Sequence, residues 1–294
     1  MAATDTTSYL SETGLKSLID EISKEASEVK PKDPLQFMQD RLAAVAQKRK
    51  GSTISESTPM KKQAVGETRS FTFTAKPHNA TFPFEKTALV MIDIQKDFCD
   101  PRGFGACLGN DVSTLESILK PCEALLAAWR ERGGKIIHTL EAHVPNLSDC
   151  PPAKLCGPRT PPEGKRIGDC LTKDMGRILV RGEPGNGLMP TVTAKPGEKV
   201  IFKPGKGAFY DTDLHEWLKA EGITHLVFTG VTTEVCVQTT MREANDRGFE
   251  CALLEDCTAS YFPEFKQAAI EMIRAQGGII GWTAMSNDFI SALP

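Results

Sequence analysis

The sequence predicts an α/β fold: a Rossmann-like, three-layer α/β/α arrangement around a six-stranded, mainly parallel sheet, with a helical hairpin added at the N-terminus. Three observations predict it. From Lys86 onward, short runs rich in β-branched and apolar residues alternate with stretches of helical period, and strands separated by helices pair in parallel. The runs are continuously apolar rather than alternating, as in a sheet covered on both faces. Polar residues stand where the runs end, at the edge of such a sheet where chemistry collects.

Composition narrows the function classes. With 40% hydrophobic and 25% charged residues the chain matches ordinary soluble proteins, and a net charge of −3 argues against a nucleic-acid partner or a polybasic membrane surface. No apolar run reaches membrane-spanning length and no basic-then-apolar leader opens the chain, so a cytoplasmic location is expected. The nine cysteines are odd in number and lack C-x-x-C pairs, which fits reduced thiols better than a disulfide scaffold or a zinc site.

Three segments are expected: 1–48, a helical hairpin; 49–85, a linker; and 86–294, the main domain. In the first, Leu10, Leu15, Leu18, Ile19 and Ile22 recur at helical spacing, and Leu35, Phe37, Met38, Leu42 and Val45 resume it beyond Pro31 and Pro34. Asp33 is placed as an N-cap, with Pro34 at the first helical position. A segment this short cannot build a core alone, so its apolar faces pair with a second hairpin or pack on the main domain. The linker is polar and aperiodic through Gln63, then alternates over Ser70–Ala75 as an edge strand does.

In the main domain, Ala88–Ile92 reads as the first strand and Val112–Arg132 as an amphipathic helix stopped by Gly133-Gly134. Lys135–His138 is the second strand and Lys199–Phe202 the third, separated by a proline-rich region, 142–190, with one short strand at Arg177–Val180. A helix over Leu214–Glu221 leads to the fourth strand, His225–Phe228, and a helix over Val237–Asp246 to the fifth, Cys251–Leu254. A last helix, Phe265–Gln276, precedes a sixth strand at Gly278–Ile280.

Cys236 falls where the fourth strand turns into a helix. There the helix dipole and free N–H groups favour a thiolate and can hold an oxyanion, although a lone cysteine is commonly just a small apolar core residue. Asp93 follows the first strand and Lys203 the third, so the topology can bring all three together. Each alone also has a structural reading, Asp93 as a helix cap and Lys203 as a surface lysine.

The ordered motifs Ala88-Leu89-Val90-Met91-Ile92-Asp93-Ile94-Gln95-Lys96-Asp97-Phe98, Lys203-Pro204-Gly205-Lys206-Gly207-Ala208-Phe209 and Gly230-Val231-Thr232-Thr233-Glu234-Val235-Cys236 resemble those of the isochorismatase-like cysteine hydrolases. The resemblance spans about Lys86 to Pro294. Arg181-Gly182-Glu183-Pro184-Gly185 and the segment Thr239 to Gly248 are similar to biuret hydrolases and related ureido-amide hydrolases. Residues 30–38 resemble the second helix of an RIIa/Dpy-30-type dimerisation hairpin, which implies a homo-oligomer, dimer or tetramer, assembled through the N-terminus.

The resemblance implies a Cys236–Asp93–Lys203 triad with no cofactor. Lys203 favours the thiolate, and Asp93 takes the thiol proton and returns it to a leaving amine. Backbone N–H groups of Thr232 and Cys236 are the expected oxyanion hole, beside a cis Val231–Thr232 peptide. By the same resemblance Phe98 walls the pocket, Gln276 hydrogen-bonds the substrate, and Lys206 is a loop residue or substrate contact. Glu234 can reach a substrate amine or remain solvated. Leu140 and Asn186 stand where biuret-type relatives carry an Arg and an aromatic, so both are expected near the substrate. Nicotinamidases, a neighbouring branch, hold a metal after the second strand; here that region reads His138-Thr139-Leu140-Glu141-Ala142-His143 without the Asp-x-His start, and no metal is expected. The expected partner is a small amide substrate such as biuret. Vinyl-ether hydrolysis of isochorismate, which needs no thiol, and a docking role set by the hairpin are the competing readings.

Overall fold

The computed structural model describes residues 69–155 and 164–294, with Lys24 and Arg41 in addition. Two units separate, Met1–Gly66 and Glu67–Pro294. In the first, Lys24 and Arg41 are each helical and exposed; the expected hairpin over 1–48 otherwise lies outside the described residues, as does the linker up to residue 68.

The second unit begins with a β-hairpin. Strand β1 (Ser70–Phe73) pairs antiparallel with β2 (Ala80–Pro83). The alternation seen from Ser70 onward is therefore an edge strand, but its partner is β2, and residues 69–85 are part of the folded body rather than a linker. Phe71, Phe73 and Phe82 are buried: Phe71 and Phe73 meet Phe289 edge-on at centroid distances of 5.4 and 5.0 Å, Phe71 meets Trp129 at 6.5 Å, and Phe82 packs edge-on against Phe71 and Phe73. Aromatic packing of this kind fixes the hairpin to the helices that carry Trp129 and Phe289.

Six parallel strands follow: β3 (Thr87–Ile92), β4 (Lys135–Glu141), β7 (Lys199–Lys203), β8 (His225–Val231), β9 (Glu250–Ala259) and β10 (Trp282–Ala284), ordered β10-β9-β8-β3-β4-β7. Between β4 and β7 lies a small antiparallel pair, β5 (Cys170–Thr172) and β6 (Gly176–Arg177). The main helices are α1 (Leu119–Glu131), α2 (Leu214–Ala220), α3 (Gln238–Asp246), α4 (Pro263–Gly278) and α5 (Ser286–Ser291). Period-2 alternation sorts the sheet into two cores. Leu89, Met91, Ile136 and Val227 face α1 and α5; Val90, Ile92, Ile137 and Phe228 face α2, α3 and α4. This is the three-layer α/β/α architecture, and the sheet is wholly parallel. Among the described residues no helix is long and apolar enough to cross a membrane.

Three element boundaries differ from expectation. The helix foreseen from Val112 is interrupted, with Ser113–Glu116 ending before α1 begins at Leu119, and Pro121 falls in the first turn of α1 where its missing N–H is tolerated. Arg177 alone of 177–180 is in a strand, because Leu179 has φ 53°. The last strand is Trp282–Ala284 rather than 278–280. Gln276 (φ 53°) and the glycines after it end α4 in left-handed geometry, and Gly281 passes so close to β9 that a Cβ would lie 2.1 Å from the Cys251 carbonyl.

The chain runs β3, β4, β7 in one direction, then returns to β8 on the other side of β3. That reversal opens a crevice beyond the C-terminal ends of β3 and β8. Gly230 permits the close contact there: its φ is 103°, and a Cβ would sit 1.9 Å from the Ile92 carbonyl oxygen on β3. Gly230→Ala is expected to destabilise the fold by roughly 3 kcal/mol or more, since backbone on both sides must shift. A urea melt of the variant superimposing on that of the wild type would contradict this.

Candidate active site

Four adjacent strands, β8, β3, β4 and β7, each deliver one side chain to the crevice. Beyond β8 the Val231–Thr232 peptide is cis, and Thr233–Val237 forms a wide π-type turn in which the Thr232 carbonyl accepts from Val235 N–H (3.1 Å) and Val237 N–H (3.3 Å). Thr240 Oγ1 donates to the Cys236 carbonyl at 2.7 Å and ties this turn to α3. The Cys236 thiol is thereby held on the floor of the crevice, 4% exposed.

Asp93 leaves β3 with φ 49°, an uncommon left-handed conformation for a residue with a side chain. Its fully buried carboxylate accepts from Thr139 Oγ1 on β4 at 2.6 Å and meets Lys203 Nζ, also fully buried, at 2.7 Å. Lys203 Nζ donates to the Gly205 carbonyl at 3.0 Å as well. Burial opposes the lysine charge, but Asp93, Cys236 and Glu141 outweigh it and raise its pKa above the ordinary value.

The fourth side chain is Glu141, at the end of β4. In the sequence it stands between two histidines, and its buried carboxylate lies 3.8 Å from Cys236 Sγ and 3.9 Å from Lys203 Nζ. Lys154 (2.7 Å) and Lys206 (2.9 Å) donate to Oε1. Burial works against its charge, but Lys206, Lys203 and Lys154 prevail and hold its pKa at about 2. Its backbone is clamped as well: Gln95 Oε1 accepts from Glu141 N–H (2.9 Å), and Asn186 Nδ2 donates to its carbonyl (2.9 Å).

Three lysines thus surround two carboxylates and one thiol. If the thiol ionises, the charges of the cluster balance. In the resting arrangement burial pushes the Cys236 thiol pKa up, Lys203 pulls it down, and Asp93 and Glu141 push it up again. A proton leaving Cys236 has two carboxylates within reach: the thiol sulfur and one oxygen each from Asp93 and Glu141 all lie within 4.8 Å of one another. Among the described residues this is the one three-member group of metal-ligating type, and Lys203 Nζ already stands between its carboxylates.

The cavity above Cys236 has a volume of about 500 Å³. Phe98, Lys206, Thr232 and Glu234 line it. Gln276 does not: it is exposed at the far end of α4, roughly 20 Å along the helix from Phe262, which does line the cavity. Leu140 lies on the opposite face of β4 from Glu141, and Asn186 spends its amide on the β4 backbone, so neither faces the cavity. His138, on that opposite face, pairs with Glu198 at 2.8 Å, and His143 contacts Asp149 (3.3 Å) and Lys154 (3.0 Å). Both histidines are engaged by side chains of the protein. Tyr261, Leu108 and Arg166 also line the cavity and carried no distinguishing sequence signal.

A family model, the isochorismatase domain, matches residues 87–285. Solved structures share the fold. A cysteine hydrolase from Pseudomonas syringae pv. phaseolicola is 20% identical, with 72% of this chain and 93% of that one covered and a TM-score of 0.58. An N-carbamoylsarcosine amidase from Thermoplasma acidophilum is 21% identical, with 69% and 97% covered and a TM-score of 0.51. For a nicotinamidase from Bacillus subtilis the identity is 22%, the coverage 68% and 99%, and the TM-score 0.54.

The Glu141 carboxylate gives a pH prediction. Its folded pKa of about 2 lies below the ordinary 4.5, so its stabilising contribution is complete above pH 4.5 and lost as pH falls through 2. Urea denaturation of the wild type between about pH 5 and pH 2 should show that loss, and Glu141→Gln should be less stable at pH 7 and flatter over the acid window. Parallel curves for the two proteins would be the contrary result.

Proposed function

The chain belongs to the isochorismatase domain family, and on that premise we propose that it is a cysteine amidohydrolase. It cleaves a C–N bond of a small linear amide or ureide, biuret-like in its reacting group, through a thioester on Cys236. The observation that carries this reading is the buried thiol at the strand-to-helix turn, facing two carboxylates with Lys203 compensating them. Amidase activity named for structures of the same fold supports it.

In the proposed cycle the Cys236 proton passes to Asp93 and the thiolate attacks the carbonyl carbon, forming the C–S bond while the carbonyl electron pair moves to oxygen. N–H groups of Thr232 and Cys236 receive that oxyanion. As it collapses, the C–N bond breaks and the nitrogen takes the proton from Asp93, leaving as ammonia or an amine. Water then loses a proton to Asp93 and adds to the thioester carbon. The C–S bond breaks, the acid product leaves, and the thiolate recovers the proton. Lys203 stays charged throughout and stabilises the sulfur anion.

Vinyl-ether hydrolysis leaves Cys236 and the acceptor-rich floor without a task. Glu141 and Glu234 both line the cavity, and Oε2 of Glu234 is buried without a hydrogen-bond partner. A carboxylate left open in this way suits a substrate that brings N–H groups, as amides and ureides do and vinyl ethers do not.

Ammonia release from biuret, ureidoacrylate, N-carbamoylsarcosine and nicotinamide tests the proposal. At least one should be hydrolysed, and Cys236→Ala should lower kcat/KM by roughly 10³-fold or more while leaving the folded state intact. Asp93→Asn should show a comparable loss in kcat. Full turnover by Cys236→Ala would refute the covalent route.

A further inference from the structure

The cavity is far larger than the reacting group needs. At about 500 Å³ it falls within the range of roughly 300–1,000 Å³ that accommodates drug-sized ligands, whereas biuret has only a handful of heavy atoms. Its chemistry is also divided. The floor around Cys236 is polar, with Glu141, Lys154 and Lys206 paired to one another. The walls and mouth are mainly apolar, built from Phe98, Phe104, Leu108, Ile167, Tyr261 and Phe262, with Asn110 and the exposed Lys165 and Arg166 as their polar members.

Two of these wall residues are exposed to a degree unusual for large apolar side chains: Leu108 is 56% and Phe262 43% accessible. They come from segments far apart in sequence, one after the short helix Phe104–Cys107 and one just ahead of α4. Phe262 is nonetheless held in place. Tyr261, next to Phe262, donates its hydroxyl to the Phe98 carbonyl at 3.0 Å, and the Phe262 ring rests against Phe265 at 5.0 Å. Apolar surface kept open in a braced position, above a nucleophile, gains free energy when a ligand covers it.

Resting on the amidohydrolase reading, we propose that the physiological substrate is an amide or ureide whose carbonyl group carries an apolar substituent of aryl size, recognised by Leu108 and Phe262. The amide end enters first, its N–H groups toward the open carboxylate of Glu234 and its carbonyl carbon over Cys236. The aryl group fills the mouth. Leu108 and Phe262 then decide specificity, and biuret itself is a poor substrate because it leaves the mouth wet.

Matched pairs of compounds test this in the full-length protein: acetamide against phenylacetamide, methylurea against benzylurea, and N-carbamoylglycine against N-carbamoylphenylalanine, each followed by ammonia release. In the wild type the aryl member should be favoured in kcat/KM by about 10-fold or more, since burial of several carbons in an apolar pocket discriminates at least that well. Leu108→Ser and Phe262→Ser, both at exposed positions, should each bring the ratio down toward one. Hydrolysis of the small member at an equal or better rate overturns the substrate class and leaves the amidohydrolase reading standing. Absence of ammonia from every pair and from biuret overturns that reading as well. A ratio unmoved by both substitutions, with a lowered oligomer mass in light scattering, assigns Leu108 and Phe262 to an interface between copies and overturns their role in recognition.

Discussion

Everything at this site depends on a fully buried ion pair, Lys203 with Asp93, 2.7 Å apart between the ends of β7 and β3. Two charges withdrawn from water persist only if their remaining hydrogen-bonding capacity is met, and here Thr139 and the Gly205 carbonyl help to meet it. Removal of either partner from such a pair typically costs about 3–5 kcal/mol, because the other is left buried and unpaired. The pair therefore serves the fold as well as the chemistry. It pins three strand ends, β3, β4 and β7, at fixed spacing, and it places a permanent cation beside the thiol.

Sheet order is what makes that pair possible. β7 and β8 follow one another along the chain but lie on opposite sides of the β3–β4 pair, so a lysine ending one and a cysteine following the other converge from two directions on Asp93. Glu141 completes the cluster from β4, where its Cα partner in the ladder is Lys203 itself. With Lys154 and Lys206 added, positive charge matches negative charge only when Cys236 is ionised. Burial, Asp93 and Glu141 hold the Cys236 thiol pKa above its ordinary value and Lys203 and Lys206 oppose them, in a cluster whose charges balance when the thiol is ionised.

Much of this was legible in the residues. Continuous apolar runs marked the core strands, their polar ends marked Asp93 and Lys203, and the strand-to-helix turn marked Cys236. Glu141 is hidden because the apolar run stops at His138, three residues before β4 ends. Period-2 continuation from Ile137 through Thr139 puts Glu141 on the cysteine side, and the same count puts Leu140 on the other; that was the available signal. Gln276 was misplaced for a different reason. Its role came from resemblance alone, while the two glycines after it mark a helix end, and that end is directed away from the cavity. The mouth was not legible at all, since Leu108, Ile167 and Phe262 come from loops and helix starts whose convergence depends on tertiary packing.

The central claim is that Cys236 becomes covalently acylated. It is tested most directly by acid-quenching the protein during turnover of a hydrolysed amide and measuring intact and peptide masses. The expected result is an increase equal to the acyl group, localised to the peptide containing Cys236 and released by hydroxylamine. An enzyme that turns over substrate at full rate, with unmodified Cys236 at every quench time and unimpaired activity after that thiol is selectively alkylated, would contradict it.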